Sequence, residues 1–267
     1  MKKSDFTLIS MLLLLSPLSY AGVVMDMVTR SASGQETDRT RIYAQAKMIR
    51  MDEVSGDVAA GSMIFLGDEF LYVDHRDKSY IVMDEAMLDE VSTQISDAMK
   101  QMEAELASMP PEQRAMVEQM MKGRMQGMMG QQGAPSPGPR VEAMGSGEWQ
   151  SYSCQKYAVF EGPEKTQDLC AAELDEIDGA DEIIDAFRNM AAYMTKMTES
   201  MPMRSKEGMN PGELMEQIDG FPVHSVDYEN GRVARETSLD AVTEQKLDED
   251  MFAAPEGYRQ QDPFGRR

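Results

Sequence analysis

The stretch RTRIYAQAKMIRMDE, residues Arg39–Glu53, alternates apolar and polar side chains with a period of two. Ile42, Ala44, Ala46 and Met48 fall on one side, and Arg41, Tyr43, Gln45 and Lys47 on the other. Successive side chains of an extended chain point to opposite faces, so the pattern predicts one half-buried β-strand. Working outward, GVVMDMVTRS (Gly22–Ser31) reads as a strand before it. GSMIFLG, EFLYVDH and SYIVMD, between Gly61 and Asp84, read as three strands after it. Gly67-Asp68 and Arg76-Asp77-Lys78 separate these three, and short strands joined by tight turns predict an antiparallel meander.

At Asp84 the period lengthens. Leu88, Val91, Ile95, Met99, Met102 and Leu106 form one stripe at helical spacing, with Asp84 placed to cap the helix. Pro110 and Pro111 suit the first turn of a second helix, which dissolves at Gly123, Gly127 and Gly130 into the linker GQQGAPSPGPR. Residues 84–138 therefore read as a helical hairpin and flexible linker inserted between two parts of a sheet. EWQSYSCQKYAVFEG and KTQDLCAAE, Glu148–Glu173, follow as a hairpin turning at Gly162-Pro163. A third helix over Asp181–Met201 carries Ile183, Phe187, Met190, Met194, Met197 and Met201 on one stripe. Asn210, Pro211 and Glu213 signal a short helix, and Asn230-Gly231 marks a last hairpin. The closing residues are irregular, with aromatics able to pin them to the body.

The amino terminus reads as a cleavable export signal. Lys2 and Lys3 precede an apolar core from Leu8 to Leu18, and Ser19-Tyr20-Ala21 supplies the small residues of a cleavage site after Ala21. The core is short of the roughly 20 residues a spanning helix needs. The expected product is a periplasmic protein of a Gram-negative bacterium, with no membrane span in the mature chain. Its domain runs from 22 to 258, and residues 259–267 form a flexible tail. The net charge is −21. A field of that sign repels nucleic acid and favours cations or basic partners. In an oxidising compartment the two cysteines, Cys154 and Cys170, predict a disulfide between the paired strands. Closing such a loop stabilises by about 3 kcal/mol in the chain-entropy model.

Four pieces resemble a known family: LYVDHRDKSYIVMDE, SYSCQKYAVFEGPEKTQDLCAAE, GFPVHSVDYENG and MFAAPEGY, in that order along the chain. They resemble the periplasmic family catalogued as domain of unknown function 4412, over roughly Val23 to Tyr258, with the Met-rich segment least matched. That family is similar to the outer-membrane lipoprotein carrier and its relatives. The resemblance implies an α+β fold: a curved antiparallel half-barrel covered on its concave face by the Met-rich helices. It also implies a binding role, with a lipid or another apolar small molecule held between sheet and helices; an envelope protein partner is the other occupant expected of such a binding protein. It supplies no catalytic residues.

The chain has 27 methionines. A cavity under the helices would be lined by Met99, Met102, Met190, Met194 and Met197. The same stripes equally suit a dry, packed interface, because Met fills irregular gaps. A different reading is Cu(I) binding, since thioether sulfur is a soft ligand. Its donors would be Met116 and Met120, and Met121 and Met125, each pair spaced i, i+4 on one helix face. Exposed methionines that absorb oxidants are a third reading. The sequence shows no nucleophile elbow, zinc-protease motif, phosphate loop or EF-hand loop, so no enzyme activity and no cofactor are expected. ELDEIDGADEIID is acidic but lacks calcium-loop spacing, and reads as a solvated helix start. His75 lies beside Asp74, but neighbours on a strand face opposite ways, so no dyad follows.

Overall fold

The computed structural model describes residues 22–55, 58–108, 110, 139–200, 214 and 217–262. The signal segment, the second helix with its methionines, the linker and Asn210–Glu213 lie outside the described residues. Six strands come first: β1 (Gly22–Ser31), β2 (Glu36–Gln45), β3 (Met48–Ser55), β4 (Val58–Phe65), β5 (Phe70–Asp74) and β6 (Ser79–Met83). Helix α1 (Glu85–Ser108) follows, then β7 (Arg140–Trp149), β8 (Tyr152–Glu161) and β9 (Glu164–Ala172). Helix α2 (Ala180–Ser200), β10 (Phe221–Glu229), β11 (Arg232–Gln245) and β12 (Arg259–Gln260) complete the chain. All twelve strands form one large curved open sheet, ordered β12-β6-β5-β4-β3-β2-β1-β11-β10-β9-β8-β7. Every pairing is antiparallel except β12 on β6.

The stretch Arg39–Glu53 is not one strand. It folds back at Ala46-Lys47, and Ala46 takes a positive φ of 56°. Beyond the turn the burial phase changes: Ile42, Ala44 and Ile49 are buried, whereas Ala46 is exposed and Met48 half-buried. Alternation continues through the two turn residues and slips by one only at the adjacent apolar pair Met48-Ile49; a positive φ at alanine has no sequence signature. EWQSYS breaks likewise, with Gln150-Ser151 turning between β7 and β8 and Gln150 at φ 51°.

The hairpin at Gly162-Pro163 forms, and Cys154 and Cys170 are disulfide-bonded with Cα atoms 5.4 Å apart. They are diagonal rather than opposite. Cys154 faces Ala172 and Cys170 faces Lys156: the turn pairs Glu161 with Glu164, which sets the cysteines one position out of register, and a bulge between Val159 and Phe160 adds one more. The tail is also not wholly free of structure, since Arg259 and Gln260 pair with Ser79 and Tyr80.

Directly opposed residues on paired strands share a face. On the helix-bearing inner face, one row runs Val23–Ala44–Ile49–Phe65–Phe70–Met83 across β1 to β6. All but Met83 are almost fully buried. Helix α2 lies along this row. Its Tyr193 ring meets Phe65 and Phe70 with centroids 5.6 and 5.7 Å away. At its other end, Gly179 sits so close to Val23 that an added Cβ would approach Val23 Cγ2 to 2.1 Å, and its φ of +69° also favours glycine.

The buried seam of α2 is Ile183, Ala186, Met190, Tyr193 and Met197, spaced three and four apart. Relative to the predicted stripe it is rotated: Tyr193 turns in and Met194 turns out, 40% exposed. The aromatic pair beneath selects the ring over the thioether.

Glu182, in the first turn of α2, accepts the Ala46 backbone N–H. Its Oε1 is buried without a partner among the described residues. Burial, the leading cause, raises its pKa above the ordinary 4.5; the Ala46 hydrogen bond offsets this in part, and Asp185 adds to it. The folded state therefore binds this proton more tightly than the unfolded chain. The associated stability is present below the unfolded value near 4.5 and is lost as pH rises through the raised folded value. Glu182→Gln keeps an acceptor for Ala46, so the variant is expected to melt higher than the parent at pH 7. The advantage should vanish below about pH 4.5, and thermal melts at pH 4 and 7 check both points.

The outer face carries two further cores. Ile64, Leu71 and Val73 pack under the carboxy-terminal residues Leu247, Phe252 and Tyr258. Tyr157, Val159, Leu169 and Ala171 pack with Ile218 at the other limb. Phe252 and Tyr258 are the aromatics that pin the closing segment. No helix among the described residues is long and apolar enough to cross a membrane.

Candidate apolar binding face

One row further along the strands from the buried one, the inner face reads Val242–Met25–Ile42–Met51–Met63–Tyr72–Ile81, from β11 across to β6. Met25 and Ile42 are buried. Met51, Met63 and Ile81 are half-buried, and Tyr72 is 47% exposed. Burial thus falls from the middle of the sheet toward β5 and β6. Among the described residues, α2 covers the neighbouring row and leaves this one open along one side. The next row, Leu239–Met27–Thr40–Glu53–Gly61–Asp74–Ser79, is polar from Thr40 onward.

The sequence-predicted lining is divided by the structure. Met197 is in the core and Met190 packs half-buried against it. Met99, Met102 and Met194 are exposed, at 51%, 38% and 40%. Asp84 Oδ1 accepts the Met87 N–H at 2.8 Å and caps α1 as expected. Leu88 reaches the core, but the α1 stripe emerges into solvent beyond it. Over their described residues, α1 and α2 therefore do not form a Met-rich roof over the sheet. The methionines that do face the helix side lie on strands: Met25, Met27, Met51, Met63 and Met83. Alternation within each strand was the signal for them, but it needed the correct hairpin at Ala46-Lys47 to set the phase. Met116, Met120, Met121 and Met125 lie outside the described residues. Among the described residues no three His, Cys, Asp or Glu side chains gather as a metal site.

At the far limb, Trp149 stacks on His224, with ring centroids 3.6 Å apart and planes 10° from parallel. His224 Nε2 is 2.7 Å from Glu236 Oε1. Trp149 Nε1 is buried with no hydrogen-bond partner among the described residues. The opposite rim gathers carboxylates. Glu69 is pushed up first by burial and then by Asp68 and Asp84. Burial also raises Tyr193, with Asp84, Asp68, Glu85 and Glu69 adding to it.

His75 does make contacts that its neighbours in sequence do not announce. Its Nε2 is 2.7 Å from Ser62 Oγ, and its Nδ1 is 3.0 Å from the Tyr258 hydroxyl. Ser62 donates to Asp52 Oδ1 at 2.6 Å. Its oxygen then accepts from Arg50 at 3.2 Å and from His75, so Nε2 carries the hydrogen. Arg50 also donates to Asp52 Oδ1 at 2.7 Å and to the Met251 carbonyl at 2.8 Å. This network ties the carboxy-terminal segment to β3, β4 and the β5–β6 turn.

No curated protein matches the chain. Among solved structures, an uncharacterized conserved protein from Thermus thermophilus is similar at 8% identity and a TM-score of 0.42, with 91% of each chain covered. A LolA superfamily protein from Nitrosomonas europaea is similar at 6% identity and a TM-score of 0.30, covering 89% of this chain and 91% of that one. PNGF-II is similar at 7% identity and a TM-score of 0.35, over 91% of this chain and 31% of the other. A family profile described as Domain of unknown function (DUF4412) matches residues 83–258. With well over half of its length matched, the chain belongs to the DUF4412 family.

Proposed function

We propose that this is an exported, non-enzymatic binding protein of the periplasm. It holds an apolar, lipid-like ligand or an apolar segment of an envelope protein against the inner face of its sheet. The observation that carries the reading is the row Met51–Met63–Tyr72–Ile81, apolar, contiguous across four strands and left open beside α2. Methionine suits such a surface because its unbranched, polarisable side chain adapts to partners of different shape.

Titration of the purified protein with the neutral fluorescent probe N-phenyl-1-naphthylamine tests this reading. Saturable enhancement is expected, and Tyr72→Asp should weaken it by about tenfold through a charge placed in the apolar row. Tyr72 is exposed, so the variant is expected to keep the parent melting temperature. Non-saturable binding, together with ligand-free protein in native mass spectra of material recovered from cells, would sink the reading.

A further inference from the structure

Building on that reading, we propose that the open part of the inner face receives a basic amphipathic helix of a partner protein, laid alongside α2. Helix α2 already shows how this sheet takes a helix: across the strands, along a single row of apolar side chains. Packed helices lie about 8–10 Å apart. Same-face residues along a strand are about 6.8 Å apart, which is the spacing between adjacent rows. A helix at packing distance from α2 therefore straddles the row of Met51, Met63 and Tyr72 and the row of Glu53 and Asp74. Its apolar side rests on the first, and its far flank meets the second.

Charge decides what that flank must be. Between β11 and β6 the two rows contain Glu53 and Asp74 and no lysine or arginine; beyond Ser79 the second row continues to Arg259 on β12. Among the described residues, neither carboxylate is in a salt bridge; Asp74 Oδ1 accepts only the backbone N–H groups of Arg76 and Asp77. Arg39 and Arg41, on the neighbouring strand, are already engaged with Glu36, Asp240 and Asp26. An apolar strip whose border over β3 to β5 carries Glu53 and Asp74, on a chain of net charge −21, repels an acidic helix and selects one edged with Lys or Arg. Among the described residues the face is also an open strip rather than an enclosed cavity, which suits a helix laid in a groove.

Three labelled peptides of about 18 residues, long enough for five turns, test the proposal by fluorescence anisotropy. One is a Leu/Lys peptide with a continuous apolar stripe, one is its scramble, and one is the same stripe built from Leu and Glu. The striped Leu/Lys peptide is expected to bind at least about tenfold more tightly than either of the others and to displace N-phenyl-1-naphthylamine. Glu53→Lys and Tyr72→Ser, both at exposed positions, should each weaken it by about fivefold or more. Equal binding of the scramble, or indifference to both substitutions, would overturn the proposal. If the neutral probe binds and the striped peptide does not, the inference fails while the apolar-binding reading stands. If neither binds, both fail.

Discussion

Asp52→Ala is expected to destabilise the protein by about 3–5 kcal/mol, the usual cost of leaving one partner of a buried ion pair uncompensated. The side chains of Arg50 and Asp52 are 14% and 8% exposed, and the pair is 2.7 Å apart. Removing the carboxylate leaves the guanidinium with the Met251 carbonyl and Ser62 as hydrogen-bond partners and the Tyr43 ring 5.9 Å away, and leaves the Ser62 hydroxyl without its acceptor. The penalty is mainly desolvation of an unpaired charge, which yields a second expectation. Arg50→Met combined with Asp52→Leu removes both charges at similar volume and should lose less than the single change. Denaturant melts of the three proteins, with coincident probes, measure this. The single variant should also become more sensitive to carboxypeptidase, because the network holds the segment from Leu247 to Tyr258 in place. A melt unchanged within about 1 kcal/mol would show that the network does not stabilise the fold as argued.

Phe65→Ala is expected to cost a similar amount, about 3–5 kcal/mol, by a different route. Phe65 is fully buried and lies 4.9 Å from Phe70 and 5.6 Å from Tyr193, ring centre to ring centre. Truncation removes one corner of an aromatic triangle whose third corner belongs to α2. The loss combines transfer of the ring to water with a cavity that the sheet backbone cannot close. Because Tyr193 loses half of its aromatic contact, proteolysis near the end of α2 should accelerate more than proteolysis in β8 and β9, which the disulfide fastens. Phe65→Leu, closer in volume, should recover most of the stability. Equal stability of the alanine variant would mean that α2 is held by something other than this contact.

The sequence was most informative where one physical signal acted alone. GVVMDMVTRS forms β1 over the same residues, with Val23, Met25 and Met27 on the inner face and Val24 and Val28 on the outer one. Asp84 caps α1, Gly162-Pro163 turns, and Asn230-Gly231 turns, since each depends on a few adjacent residues. It was least informative where distant partners choose between local options. Alternation through Ala46-Lys47 is satisfied by a strand and by a hairpin, and only pairing of Ile42 with Met51 and Ala44 with Ile49 decides. The face of α2 likewise depends on Phe65 and Phe70, more than a hundred residues away in sequence. The candidate face suffered most, because rows across strands exist only after every register is set. Helical stripes drew notice to Met99, Met102 and Met194, which face solvent, while Met51 and Met63, opposite each other on paired strands, were marked only by an alternation whose phase the Ala46-Lys47 turn sets.

The position of β1 bears on how the chain acquires this structure. The first strand is not at an edge; it lies between β2 and β11, matched to Arg235–Gln245 along its length. A contact joining residues more than two hundred apart carries a large loop-closure cost, and folds built on such contacts are slow. During synthesis β1 to β6 can gather only as a half-sheet with β1 as a bare edge, until the β10–β11 hairpin has emerged. The strap from Leu247 to Gln260 comes later still. Stability in this protein therefore arrives at the end of the chain, and a polypeptide stopped short of residue 232 lacks the strand that joins the two limbs of its sheet.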